Sequence, residues 1–335
     1  MTEKVEKPLA HKARFVLSLR ITGLGDKLIC LAAAWKYARD TGRVLIVDWR
    51  HSIYDRSQRN LFASCFEVDS VLAGVPFIGS STLDTEDLPR PIFPKLWEFG
   101  PLISCPWVLP TDRLEGEPEK SVKIIRSGID LPEPTVVFNA CVNDGIVSFR
   151  DAYQFLSALK PVKRVDGEVR NFLSTITSPD KLIGLHVRHG NGGNIMGHSS
   201  SWLSFEQAMQ RIQKAVDISR RKLGLDAPVL LCTDSLEVLE VLSKRLTNVI
   251  YRAKEMRPKG SGELHHGVES ESGLIDALTE MVLLSKCQIL IRYPAGSFFS
   301  FYAAVMKQGQ GANYSTIYEL QMPWDKEDNL SPAIV

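Results

Sequence analysis

The chain has 335 residues, of which 44% are hydrophobic and 24% charged, with 40 basic against 39 acidic side chains. This is the composition of a globular protein with a substantial core, and it excludes disordered, collagen-like and coiled-coil chains. A net charge of +1 with only short basic runs, such as Arg220-Arg221-Lys222, argues against nucleic acid as a partner.

No apolar run is long enough for a membrane span. The charged start Met1-Thr2-Glu3-Lys4 is not followed by an apolar segment, so no secretory signal is expected. Six cysteines are scattered (Cys30, Cys65, Cys105, Cys141, Cys232, Cys287) without a C-x-x-C pair. Neither a zinc site nor a disulfide framework is expected, and a reducing cytoplasm fits best.

In chain order, residues 14–20 read as a strand, followed by the small-residue turn Thr22-Gly23-Leu24-Gly25-Asp26. An Ala/Leu-rich helix is predicted from Leu28 to Ala38, closed by Gly42, and Val44–Val47 is an apolar strand. This β-α-β unit implies a parallel sheet. Residues 74–120 are proline-rich and predict irregular structure. Val136–Phe138 is a short buried strand, with a helix over 149–159 and another after Pro161.

The second half repeats strand, turn and helix. Strands are predicted at 182–187, 229–232, 249–251 and 288–292, with helices between them and over 297–307. Ser204-Phe205-Glu206-Gln207 reads as a capping box, and Asp234-Ser235-Leu236-Glu237 as a second helix start. The tail after about residue 320 is polar. The fold class is α/β, with two Rossmann-like halves and a cleft between them. Ligands in such folds bind beyond the carboxyl ends of the strands.

The densest chemical signal is His186-Val187-Arg188-His189-Gly190-Asn191-Gly192-Gly193 at a strand end. Arginine offers a planar fork to phosphate oxygens, and glycines admit a ligand close to the backbone. The cluster reads as an anion site, with His186 and Arg188 on one face and His189 on the other. Ser297, after Tyr293-Pro294-Ala295-Gly296, is equally a phosphate contact at a helix N-terminus or a plain N-cap. Gly23-x-Gly25-Asp26 misses the dinucleotide fingerprint and is either a ligand loop or a tight turn. Asp48-Trp49-Arg50 offers an indole for a sugar to stack on, or a half-buried tryptophan. Glu280, if it points inward, needs a partner, and a guanine N1–H/N2–H edge would serve. No P-loop, G-x-S-x-G or D-x-D motif occurs, which suits a metal-free phosphate site.

These motifs resemble the rhizobial nodulation fucosyltransferases of the NodZ family and, more distantly, the eukaryotic core α-1,6-fucosyltransferases. The matching stretches are Arg20–Arg50, His186–Gly192, Leu231-Cys232-Thr233-Asp234-Ser235 and Met281–Tyr302. The resemblance implies a GT-B-like fold of two Rossmann-like domains facing a cleft. Residues 1–175 would form the acceptor side, 176–312 the GDP-sugar domain and 313–335 a tail. It implies inverting, metal-independent transfer of L-fucose from GDP-fucose, with the 6-hydroxyl of a GlcNAc in a chitooligosaccharide-like acceptor as target.

On this resemblance Arg188 holds the donor pyrophosphate, with His186, His189, Asn191, Asp234, Glu280 and Ser297 in the donor site. Arg20, Gly23, Gly25, Asp26, Asp48 and Trp49 would form an acceptor or phosphate loop. The loop from Arg188 to Ser201 carries no carboxylate, which leaves His198 as its candidate proton acceptor. The alternatives are a GDP-sugar transferase with another sugar or acceptor, and a non-catalytic GDP- or glycan-binding relative.

Overall fold

The computed structural model describes residues 13–20, 22–50, 53–54, 59–67, 69–79, 88–98, 128–139, 147–190, 204–256, 258, 271–294, 296–309 and 317–320. The first half builds one sheet from β1 (Phe15–Ser18), β2 (Val44–Val47), β3 (Val71–Leu72), β4 (Val75–Ile78), β5 (Ile92–Phe93) and β6 (Thr135–Phe138). Its order is β3-β4-β2-β1-β6-β5, parallel except for the β3–β4 pair. The proline-rich stretch thus contributes β4 and β5, which its lack of periodicity conceals. Residues 99–127 lie outside the described segments.

Helix α1 (Leu24–Thr41) connects β1 to β2 and begins one turn earlier than its Ala/Leu pattern predicts. Glycine inside a helix is unfavourable by about 1 kcal/mol against alanine, so Gly25 reads locally as a turn. Packing explains it. A Cβ on Gly25 would lie 2.5 Å from the Phe299 nitrogen and 2.8 Å from the Phe298 carbonyl carbon. Two backbones meet at this point, and only glycine allows it.

A single turn, α2 (Phe62–Cys65), follows, and α3 (Phe149–Ala158) and α4 (Lys163–Ser174) lead out of the first sheet. The second sheet holds β7 (Ile183–Val187), β8 (Val229–Thr233), β9 (Val249–Ile250), β10 (Ile289–Tyr293) and β11 (Ile317–Glu319). All pairs are parallel, in the order β11-β10-β7-β8-β9. Segment 317–319, read from sequence as tail, is an edge strand of this sheet. Residues 321–335 lie outside the described segments.

The connecting helices are α5 (Phe205–Leu223), α6 (Leu236–Arg245), α7 (Ser272–Lys286) and α8 (Phe298–Gln308). The capping box of α5 forms as read: Ser204 Oγ accepts from the Gln207 N–H at 3.2 Å, and Gln207 Oε1 accepts from the Ser204 N–H at 3.0 Å. Ser235 caps α6.

One apolar core runs through both halves. It contains Val16, Leu45 and Val136 of the first sheet, Leu230 and Leu290 of the second, and buried faces of α1, α7 and α8. Helices α7 and α8 pack on each other, and α8 also packs on α1 and α3. The two sheets therefore hold a fixed relation, with the start of α8 against the start of α1. Among the described residues no helix is long and apolar enough to cross a membrane.

Candidate active site

In a doubly wound sheet a crevice opens where neighbouring strands send their connections in opposite directions. This molecule has one between β7 and β10 and another between β1 and β6. The sequence-selected residues that the structure describes gather around these two places.

The β7/β10 crevice is cationic. His186 and Arg292 are register partners on the adjoining strands, and the Arg188 N–H donates to the Tyr293 carbonyl at 2.8 Å. Asp234, just past β8, organises the loop. It accepts from the His189 N–H at 2.8 Å and the Gly190 N–H at 3.0 Å, and it pairs with Arg188 Nη1 at 2.9 Å. Gly190 takes φ +69°, a left-handed turn that glycine adopts without strain. Asp234 is thus the clamp that aims Arg188. The Arg188 side chain stays 27% exposed and can reach a ligand while paired.

His186 is buried, and its ring stacks on Phe299 at 5.1 Å. Burial, then Arg188, Arg292 and Lys254, push its pKa well below the ordinary 6.5, so it is neutral at pH 7. Its Nδ1 is buried without a hydrogen-bond partner among the described residues. His189 faces the other way, as strand alternation predicts. Its Nδ1 lies 3.1 Å from Ser235 Oγ, and its ring edge meets Phe205 at 5.2 Å.

Arg292 closes the opposite wall, though no motif marks it. It is 2% exposed and reaches Ser300 Oγ at 3.2 Å and the Ser297 carbonyl at 3.3 Å, at the head of α8. A charge inside the apolar run Ile-Leu-Ile-Arg-Tyr was the signal available. Ser297 takes the N-cap position of α8, but its hydroxyl makes no cap hydrogen bond.

Glu280 does point inward, and the chain itself supplies a partner. Lys254 Nζ, in the segment after β9, lies 2.8 Å from Oε1 and 2.9 Å from Oε2. Burial opposes the ammonium, but Glu280, Cys232 and Asp234 together outweigh it and the Lys254 pKa is raised. The pair forms a wall beside Cys232 and His186 that sequence reading missed, because nothing around Lys254 forms a motif. Asn191 and His198 lie outside the described residues.

Side chains at the β1/β6 crevice bond to the chain itself. Arg20 Nη1 donates to the Asn139 carbonyl at 2.8 Å, and its Nε donates to Thr22 Oγ1 at 2.9 Å. Asp48 forms a fork with Arg50, with its Oδ2 2.6 Å from Nη2 and its Oδ1 2.9 Å from Nε. Trp49 does not offer its face to a sugar. It is 0% exposed and lies edge-on to Phe62 at 5.2 Å and Phe66 at 6.3 Å. Asn60 also holds its backbone, accepting from the Trp49 N–H at 3.1 Å. Gly23 precedes α1, whose Leu24 N–H donates to the Tyr54 hydroxyl at 3.1 Å. Tyr54 neighbours both Arg188 and Asp26, so the β1–α1 turn borders the cationic crevice. Asp26 stands half-buried in the first turn of α1.

Two largely parallel sheets fused through shared helices, each with a switch-point crevice, are the arrangement of a GT-B-like glycosyltransferase. The nodulation protein Z (NodZ) family model matches residues 12–310, and the chain belongs to that family. It is 37% identical to nodulation protein Z of Bradyrhizobium diazoefficiens over 293 residues, 87% of this chain and 78% of that relative. It is 36% identical to that of Sinorhizobium fredii over 295 residues, covering 87% of this chain and 90% of the relative.

A crystal structure of NodZ α-1,6-fucosyltransferase soaked with GDP-fucose is similar, with a TM-score of 0.72 and 29% identity, covering 92% of this chain and 95% of that one. POFUT1 in complex with GDP-fucose shares the fold at a TM-score of 0.51 and 10% identity, covering 92% of this chain and 98% of that one.

Proposed function

We propose that this chain is an inverting fucosyltransferase. It moves L-fucose from GDP-β-L-fucose to the 6-hydroxyl of a GlcNAc residue in a chitooligosaccharide-like acceptor. Membership of the NodZ family supports the class, and a relative soaked with GDP-fucose supports the donor. The observation that carries the reading to this chain's own residues is the cationic β7/β10 crevice. Arg188 and Arg292 both act on a neutral His186 there, and Arg292 reaches the head of α8.

As the fucosyl C1–O bond breaks, negative charge grows on the departing diphosphate. Arg188, held by Asp234, would stabilise that charge without reorganising, which makes such groups effective in catalysis. Arg292 fixes the head of α8, whose positive end adds to the same field. In this reading protein cations neutralise the diphosphate and no metal is required. The unpartnered His186 Nδ1 and the Lys254–Glu280 wall would meet the nucleoside end of the donor. The acceptor hydroxyl would approach from the first half. Asp26 is the carboxylate on that side that shares Tyr54 as a neighbour with Arg188, and His198 is the other candidate proton acceptor.

Residues 1–175 would then be the acceptor side and 176–312 the donor side. The absence of C-x-x-C pairs among the six cysteines suits a cytoplasmic enzyme. The test is GDP release from GDP-fucose with and without chitooligosaccharide, with product mass read out and a parallel run in EDTA. Acceptor-dependent release, a gain of one deoxyhexose and no effect of EDTA are expected. GDP-fucose binding without release to any oligosaccharide would favour a binding protein instead.

A further inference from the structure

Lys27 is the least expected residue in the molecule. It is 0% exposed, it lies in the first turn of α1, and none of the chemistry above uses it. A buried ammonium is costly, and one at the positive end of a helix is more so. Methionine or leucine would fill the space at neither cost.

Its contacts supply a reason. Lys27 Nζ donates to the carbonyl oxygen of Arg20, the residue that follows β1. It also lies over the Trp49 ring, 5.2 Å from the centroid, at the end of β2. Arg20 in turn bridges the switch point by donating to the Asn139 carbonyl beyond β6, and it fixes Thr22. The ammonium therefore ties together the carboxyl ends of β1 and β2, and the Arg20 guanidinium extends the tie to β6. These ends form the crevice that borders Arg188 through the β1–α1 turn.

We propose that Lys27 is a positioning residue for the acceptor, holding Arg20 and the Thr22–Gly23 turn in the shape that receives the sugar hydroxyl opposite the donor. This rests on the fucosyltransferase reading and extends it to a residue that does not touch substrate. The charged and titratable groups around the ammonium come from every element packed on it. They are Cys30 on α1, Cys65 on α2, Arg20 after β1 and Asp48 after β2. Burial dominates and lowers the Lys27 pKa from 10.5 to about 7, so its charge changes across neutral pH. Acceptor recognition, and not donor recognition, should carry that titration.

The experiment measures KM for chitooligosaccharide and for GDP-fucose from pH 6 to 9 in wild type, Lys27→Met and Lys27→Arg. Each variant's thermal stability and GDP affinity are measured beside it. The proposal expects acceptor KM to rise at least tenfold in Lys27→Met, with GDP-fucose KM within twofold. It also expects the step in wild-type acceptor KM near pH 7 to vanish in Lys27→Arg, whose guanidinium stays charged. An unchanged acceptor KM, or equal loss of both substrates in a folded variant, would overturn it. If Lys27→Met does not fold, the Lys27→Arg profile decides alone. If wild type does not turn over, the fucosyltransferase reading fails. Lys27 is then judged by calorimetric oligosaccharide affinity, where equality of wild type and Lys27→Arg at pH 6 and 9 refutes it.

Discussion

The crevices at β1/β6 and β7/β10 have the same topology and opposite contents. In the first, Arg20, Lys27, Asp48 and Arg50 spend their bonding on the chain's own loops, and Trp49 is sealed beneath aromatic rings. In the second, an aspartate holds Arg188 while leaving it reachable, and His186 keeps a buried nitrogen with no partner among the described residues. Topology places a crevice, but the destination of its side-chain hydrogen bonds decides whether it receives charge. On the proposed function the second crevice takes the diphosphate and the first the neutral sugar.

The largest effect should follow from opening the wall of the second crevice. Lys254→Met leaves Glu280 buried without its partner, and losing one member of a buried pair costs about 3–5 kcal/mol. Denaturant unfolding at pH 7 should show this. Because the Lys254 pKa is raised, the pair's contribution is intact below its ordinary 10.5 and fades only as pH rises through the higher folded value. The wild-type advantage over Lys254→Met should therefore hold from pH 6 to 9.

Next comes chemistry. Arg188→Ala should raise the barrier by at least ~2.7 kcal/mol, about a hundredfold in kcat, as for loss of one donor from an oxyanion site. Near-normal turnover would remove Arg188 from the mechanism. The contact that joins the start of α1 to the start of α8 should be next in size. Gly25→Ala drives a methyl into the Phe298–Phe299 backbone and should destabilise by about 1–3 kcal/mol, read as a fall in Tm with reduced kcat. The smallest effect concerns the helix beyond the second crevice. Ser204→Ala removes half of the α5 capping box and should cost ~1 kcal/mol with KM for GDP-fucose unchanged.

The sequence made the strands and most helices legible because they carry local signals. Apolar runs mark β7, β8 and β10, and Ser204-Gln207 and Ser235 mark helix starts. The cluster His186–Gly190, read from sequence as an anion site, stood out for the same reason, since its residues are adjacent. What stayed hidden depends on distant partners. Trp49 looks like an exposed strand end until Phe62 and Phe66 fold over it. Gly25 looks like a turn until α8 arrives, 270 residues further along the chain by rough count. Lys254 and Arg292 carry no motif, and only the pairing of β10 with β7 and of β9 with β8 brings them to the site.

The most direct test of this division is calorimetric GDP binding to wild type, Arg188→Ala and Arg20→Ala. The account predicts one GDP per chain, bound at least tenfold more weakly in Arg188→Ala and equally well in Arg20→Ala. Unchanged affinity in Arg188→Ala, or loss of affinity in Arg20→Ala, would contradict it.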